Sequence, residues 1–128
     1  MEAYAGQMST EILDTIFTLG ANFYVQGKYS KAEIIFGGLL ALNPDHLNAS
    51  LALGEVLMMD GQLEKALDHF LTQRDQGIYD GRILLGAAKA YYLLGKYDEA
   101  KSMVKPIIEG DIVATKSVAF MAKLMSKN

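Results

Sequence analysis

A chain of 128 residues with 12 basic and 15 acidic side chains, a net charge of −3, 51% hydrophobic residues and no cysteine has the length of one domain; at this size it can hide roughly two thirds of its unfolded surface. The missing cysteine excludes a disulfide framework and thiol chemistry. No apolar run approaches the ~20 residues of a membrane span, and the opening MEAYAGQMST lacks the basic and apolar regions of a secretory signal, so the expected compartment is the cytoplasm.

In chain order, the first element is a helix. Between Ile12 and Val25 the apolar residues Ile12, Leu13, Ile16, Leu19 and Phe23 fall at three- and four-residue steps, which is one face of an α-helix. Gly27 stops it, since glycine takes the left-handed turn conformation without a Cβ penalty. A second helix runs from about Ser30 to Leu42, with Ala32, Ile35, Phe36, Leu39 and Leu42 inward and Pro44 closing it. The small residues Gly20 and Ala32 let the two helices approach closely, and Phe36 fills the space beside them.

The same unit is then written again. GKYSKAEIIF begins at Gly27, GQLEKALDHF at Gly61 and GKYDEAKSMV at Gly95; Ala32, Ala66 and Ala100 keep the interval of 34, as do Gly20, Gly54 and Ala88. A fixed period of this size marks a repeat architecture built from one supersecondary unit. Pro106 falls inside the second helix of the third unit and is expected to kink or end it near Lys105. A last helix from about Ile112 to Lys127, with Val113, Val118, Phe120, Met121, Leu124 and Met125, reads as a cap over the terminal repeat, with a homodimer or partner face as the alternative. Tyr4 and Met8 are expected to pack back on the first hairpin or to join a dimer contact.

Ile16, Leu19, Gly20, Phe23, Gly27, Tyr29, Ala32, Phe36 and Pro44 resemble the tetratricopeptide consensus. Leu53, Gly54, Leu57, Gly61, Ala66 and Phe70 match in the second unit, and Leu84, Ala87, Ala88, Tyr91, Gly95, Tyr97 and Ala100 in the third. Ile16 stands where many repeats carry Trp, Leu39 where many carry Ala, Ile78 replaces the final Pro of the second unit, and Val104 replaces the aromatic of the third. The resemblance implies an all-α fold, with three tandem hairpins in a right-handed superhelix and a C-terminal capping helix. Residues 1–128 then form a single domain with repeats at about 13–46, 47–80 and 81–114 and a last helix at about 112–127.

Chemistry is not expected. The two histidines, His46 by the Pro44 turn and His69 on a second helix, form no metal or nucleophile constellation, and the glycines sit at hairpin positions rather than in a phosphate loop. Asn48-Ala49-Ser50 matches a glycosylation sequon that has no meaning in a cytoplasmic helix. Residues 1–64 hold eight acids and two lysines (−6), whereas 65–128 hold seven acids and ten bases (+3), so the two halves differ in sign. No basic stripe with interleaved aromatics suggests nucleic acid. Neither an enzyme nor a cofactor site is expected.

What remains is a surface. When helix hairpins stack, the first helices line the concave side, and the residues of those helices that point into the groove include Phe17, Tyr24 and Val25, then Leu51, Met58 and Met59, then Arg82, Leu85, Lys89, Tyr92 and Leu93. Most are large and apolar or aromatic, which marks a binding site for an apolar extended segment or an amphipathic helix. The lysine-rich clamp by which some tetratricopeptide domains grip acidic chaperone tails is missing: the matching positions hold Phe17, Ala21, Ala52, Arg82 and Gly86.

IFTLGANFYVQGKYSKAEIIFGGLLALN, LALGEVLMMDGQLEKALDHF and AAKAYYLLGKYDEAK are similar to the small chaperones of bacterial type III secretion. Those that hold hydrophobic translocators grip a Pro-x-Leu-x-x-Pro-like segment but carry a longer N-terminal helical segment. The short N-terminus here is closer to chaperones of the needle subunit, which cradle an amphipathic helix and often need a second small chaperone. The resemblance implies a protein client, with a second small chaperone or a homodimer as further partners. It implies neither nucleic acid nor membrane insertion. A scaffold bridging the subunits of a cytoplasmic complex is the alternative function.

Overall fold

The computed structural model describes residues 9–127, and within them all regular structure is helical. Seven helices follow one another: α1 (Thr10–Val25), α2 (Tyr29–Leu42), α3 (Leu47–Met59), α4 (Leu63–Asp75), α5 (Gly81–Leu93), α6 (Tyr97–Ile108) and α7 (Lys116–Ser126). The expected contacts of Tyr4 and Met8 lie outside the described residues.

Two kinds of helix start alternate along the chain. α1, α3, α5 and α7 begin with a side-chain cap: Ser9 Oγ accepts from the Ile12 amide at 3.2 Å, His46 Nδ1 from Ala49 at 3.0 Å, Asp80 Oδ1 from Arg82 at 2.8 Å and Thr115 Oγ1 from Val118 at 3.3 Å. Each satisfies a backbone donor that the first helical turn leaves without a partner. α2, α4 and α6 have no such cap; each follows a glycine with positive φ, Gly27 (74°), Gly61 (79°) and Gly95 (79°). There the amides after the turn reach back to the preceding helix, Lys28 N to Phe23 O at 2.8 Å and Lys96 N to Tyr91 O at 2.9 Å. This six-to-one bond closes a helix around a left-handed glycine.

Residue contacts divide the chain into two compact units, with the boundary between Gly61 and Gln62. In the first, α1, α2 and α3 enclose Ala32, Phe36 and Val56, with Phe17, Ala21, Phe23, Tyr24, Tyr29, Ala52 and Leu53 packed around them. Gly20 is where α1 comes closest to α2. A Cβ there would lie 2.7 Å from the Phe36 ring, so only glycine lets that ring occupy its place. Three apolar residues of the expected inner stripe face outward instead: Ile12, Leu19 and Leu42 are exposed. Each sits about 90° round its helix from the buried line (Gly20 in α1; Ala32, Phe36 and Leu39 in α2), as successive 100° steps dictate.

In the second unit α5 is buried almost all round, through Ile83, Leu84, Leu85, Ala87, Ala88 and Ala90, and packs against α4, α6 and α7. A helix apolar on every side belongs at the centre of such a unit. α6 turns Ala100, Met103, Val104 and Ile107 inward. Pro106 does not end it: the helix continues to Ile108 and closes at Gly110, whose φ is 80°. The proline lies in the last turn, where it removes only one helical hydrogen bond, and its own carbonyl accepts from the Asp111 amide at 2.9 Å. The last helix also starts later than Ile112, at Lys116, because Thr115 supplies its cap. It buries Val118 and Ala122 against α6 and α5 and turns Phe120 and Leu124 to the outside, with Val113 before it exposed as well.

Candidate functional site

In the first unit the expected binding residues lie on α1 and α3 and differ in how much surface they keep. Phe17 is half-buried, its ring 5.3 Å from Phe36 and stacked on His46 at 5.8 Å and an interplanar angle of 11°. His46 thus caps α3 through an unprotonated Nδ1 while its face supports Phe17. Tyr24 is half-buried, 5.8 Å from Tyr29. Burial, then the Glu55 carboxylate, then Tyr29 push the Tyr24 phenol up from its ordinary value. Leu51 and Met58 are half-buried, while Met59 is half-exposed and Val25, at the end of α1, is 82% exposed.

In the second unit Tyr92 (50% exposed) and Leu93 are open at the end of α5. Tyr92 meets Tyr97 edge to face at 5.0 Å. The pair repeats Tyr24–Tyr29 at an interval of 68 residues, on either side of the corresponding left-handed glycine. Sequence reasoning had placed Tyr29 and Tyr97 only as repeat-consensus residues; the same period that located Tyr24 and Tyr92 carries their partners. Tyr92 and Tyr97 also line a cleft of about 110 Å³ with Lys101, Met125 and Lys127. Leu85 is 7% exposed and serves the core of its unit, Lys89 is half-buried, and Arg82 is exposed but engaged. Its guanidinium Nε and Nη2 each donate to Asp80 at 3.1 Å, and this bond holds the Asp80 carboxyl below its ordinary value.

Among the described residues no group of three or more His, Asp or Glu side chains could hold a metal ion, and no helix is long and apolar enough to cross a membrane. Within each unit the first-helix residues offer apolar and aromatic surface.

A family profile described as anaphase-promoting complex, cyclosome, subunit 3, of tetratricopeptide type, matches residues 25–107. The chain belongs to that family. Comparison with curated proteins finds no match. Among solved structures, PcrH from Pseudomonas aeruginosa is 27% identical, with a TM-score of 0.83 over 94% of this chain and 92% of that one. PcrH in complex with the chaperone binding region of PopB is 28% identical, with a TM-score of 0.80 over 92% and 97%. The Yersinia enterocolitica type III secretion translocator chaperone SycD has a TM-score of 0.85 over 98% and 95% at 23% identity, a likeness of fold. The all-helical tetratricopeptide architecture is that of these secretion chaperones.

Proposed function

We propose that the chain is a cytoplasmic, non-enzymatic chaperone of type III secretion, one that covers an apolar segment of a secreted translocator until export. The observation that carries this reading is the likeness over nearly the whole of both chains to PcrH, which binds the chaperone binding regions of PopB and PopD. The first-helix faces support it. In one unit Tyr24, Val25, Leu51, Met58 and Met59, and in the other Tyr92 and Leu93, keep apolar surface that a client can cover. Phe17 and Leu85 hold these faces from beneath, while Arg82 and Lys89 border the second. Binding then rests on apolar burial, at roughly 25 cal/mol per Å² before the entropy of ordering the client is subtracted. The expectation of a needle-subunit client draws no support from PcrH.

The test is affinity purification from the native cells followed by mass spectrometry. A secreted subunit recovered in near-stoichiometric amount, and degraded or aggregated when made alone, is the expected result. A stable multi-subunit cytoplasmic complex would favour a scaffold instead, a reading that the family description itself supports because it belongs to a subunit of a large assembly.

A further inference from the structure

The tyrosine pair occurs twice, but the charge around it changes sign. Moved on by two repeats, 68 residues, Tyr24, Tyr29, Glu33 and Met59 become Tyr92, Tyr97, Lys101 and Lys127. Both pairs keep their ring contact, at 5.8 Å in the first unit and 5.0 Å in the second. The charge that acts on Tyr24 is the Glu55 carboxylate, and the residue 68 positions after Glu55 is Lys123.

The second pair forms a cleft of about 110 Å³ with Lys101, Met125 and Lys127. Two cations line it and no acid does. Among the described residues no ion pair engages Lys101 or Lys127. The surrounding helices bring little negative charge: α5 contains Arg82 and Lys89, α7 contains two lysines, and neither contains an Asp or Glu. On α6 Asp98 and Glu99 lie in the first turn, but they do not line the cleft. Ammonium groups left without a partner beside aromatic rings attract an incoming anion and discriminate against a cation. The space is well below the ~300 Å³ of small-molecule sites, so it suits the end of one side chain.

We infer that the Tyr92–Tyr97 cleft takes an aspartate or glutamate side chain of the bound client segment, its carboxylate between Lys101 and Lys127 and its methylene carbon against the rings. The inference rests on the chaperone reading above and adds a sequence requirement to it, an acidic residue among the apolar ones. The first unit, with Glu33 and Met59 at the matching positions, offers no such pair of cations. The cleft also differs from the lysine-rich clamp for acidic chaperone tails. Arg82, the one base at a clamp position, is engaged by Asp80, and Lys101 belongs to the second helix of its hairpin.

Nuclear magnetic resonance on the full chain tests this with the capped tripeptide Leu-Glu-Leu and its counterpart Leu-Gln-Leu, each titrated to millimolar concentration. The glutamate peptide is expected to shift the amide resonances of Tyr92, Tyr97 and Lys101 and to bind about fivefold more tightly than the glutamine peptide. High salt, or Lys101→Met with Lys127→Met, abolishes that preference. Lys105→Met with Lys116→Met removes the same charge from exposed positions outside the cleft and keeps it. Calorimetry with the co-purified client should show the Lys101→Met, Lys127→Met chain binding about fivefold more weakly at low salt, with circular dichroism unchanged. Equal affinity for the two peptides, a preference that survives loss of both lysines, or shifts centred on Tyr24 and Tyr29 would each overturn the inference. A client bound with unchanged affinity by the double variant overturns it too and leaves the chaperone reading standing. A chain that prefers the glutamate peptide in this cleft yet recovers no secreted client upholds the acidic-side-chain site and overturns the chaperone reading instead.

Discussion

Gly86 of α5 lies so close to Phe70 of α4 that a Cβ on the glycine would come within 2.5 Å of two ring carbons. The ring has nowhere to go, because Phe70 is itself buried. Gly86→Ala is therefore expected to destabilise the chain by about 1–3 kcal/mol, the range for overpacking a filled core. Chemical denaturation measures it. In the double variant with Phe70→Leu the two effects should be less than additive, since the smaller side chain makes room for the methyl group.

Gly95 has open space around it but a φ of 79°. The cost of Gly95→Ala is then conformational alone, about 1–2 kcal/mol. Gly95→Asn should cost less, because asparagine tolerates the left-handed region better. Equal losses for the two substitutions would mean that crowding, and not backbone conformation, fixes the glycine.

Asp80 both caps α5 and binds Arg82. Its carboxyl titrates below the ordinary value of 3.8, principally because of the Arg82 hydrogen bond. A depressed folded-state value contributes stability that is present above the unfolded value and lost as pH falls through the folded one. Asp80→Asn keeps the cap acceptor and removes the charge, so the fall in stability below about pH 4 should become shallower. Asp80→Ala also removes the cap and should cost ~1 kcal/mol at neutral pH. Thermal melts across the acid range distinguish the two.

Tyr92 is half-exposed, whereas Tyr24 packs against the Ala32, Phe36 and Val56 cluster. Tyr92→Ala should weaken client binding about tenfold with helicity unchanged, the loss of one large aromatic contact. Tyr24→Ala should weaken binding and lower the melting temperature together. Calorimetry with the co-purified client reads the first effect and circular dichroism the second. Unchanged affinity in both variants, with the fold verified, would remove the first-helix faces from the binding surface.

Pro106 sits in the last turn of a helix that continues beyond it. Replacing it with alanine restores a backbone donor. The expected gain is at most about 2 kcal/mol, the ~3 kcal/mol of an interior proline less the ~1 kcal/mol by which proline stiffens the unfolded chain. A loss of stability on substitution would mean that the proline shapes the connection to α7.

The sequence was most informative where the repeat itself constrains chemistry. Gly27, Gly61 and Gly95 could be placed because a left-handed turn admits few other residues, and Gly20 with Phe36 because a missing side chain and a large one must face each other. It was least informative where helical spacing alone had to separate inside from outside. Ile12, Leu19 and Leu42 fit an apolar stripe by their intervals, yet a step of 100° carries them to its edge. Leu85 looked like surface by repeat register and is core, because α5 is covered by α4, α6 and α7. His46 gave no signal as a cap, since histidine seldom serves as one, and the stacking on Phe17 that holds it there spans 29 positions of chain.

Surface turns are ordinarily where a chain accepts extra residues without harm. The hairpin turns at Gly27 and Gly95 should be the opposite. Each spans only a few residues between two packed helices, and the helix that follows has no side-chain cap of its own to reset its start. One residue inserted or deleted there shifts the following segment by one helical step, about 100° of rotation. Ala32 or Ala100 would turn away from its partner helix, and a charged neighbour such as Lys31 or Glu99 would turn toward the core. A length change of a single residue in these exposed turns should therefore harm the fold more than most substitutions made inside the helices.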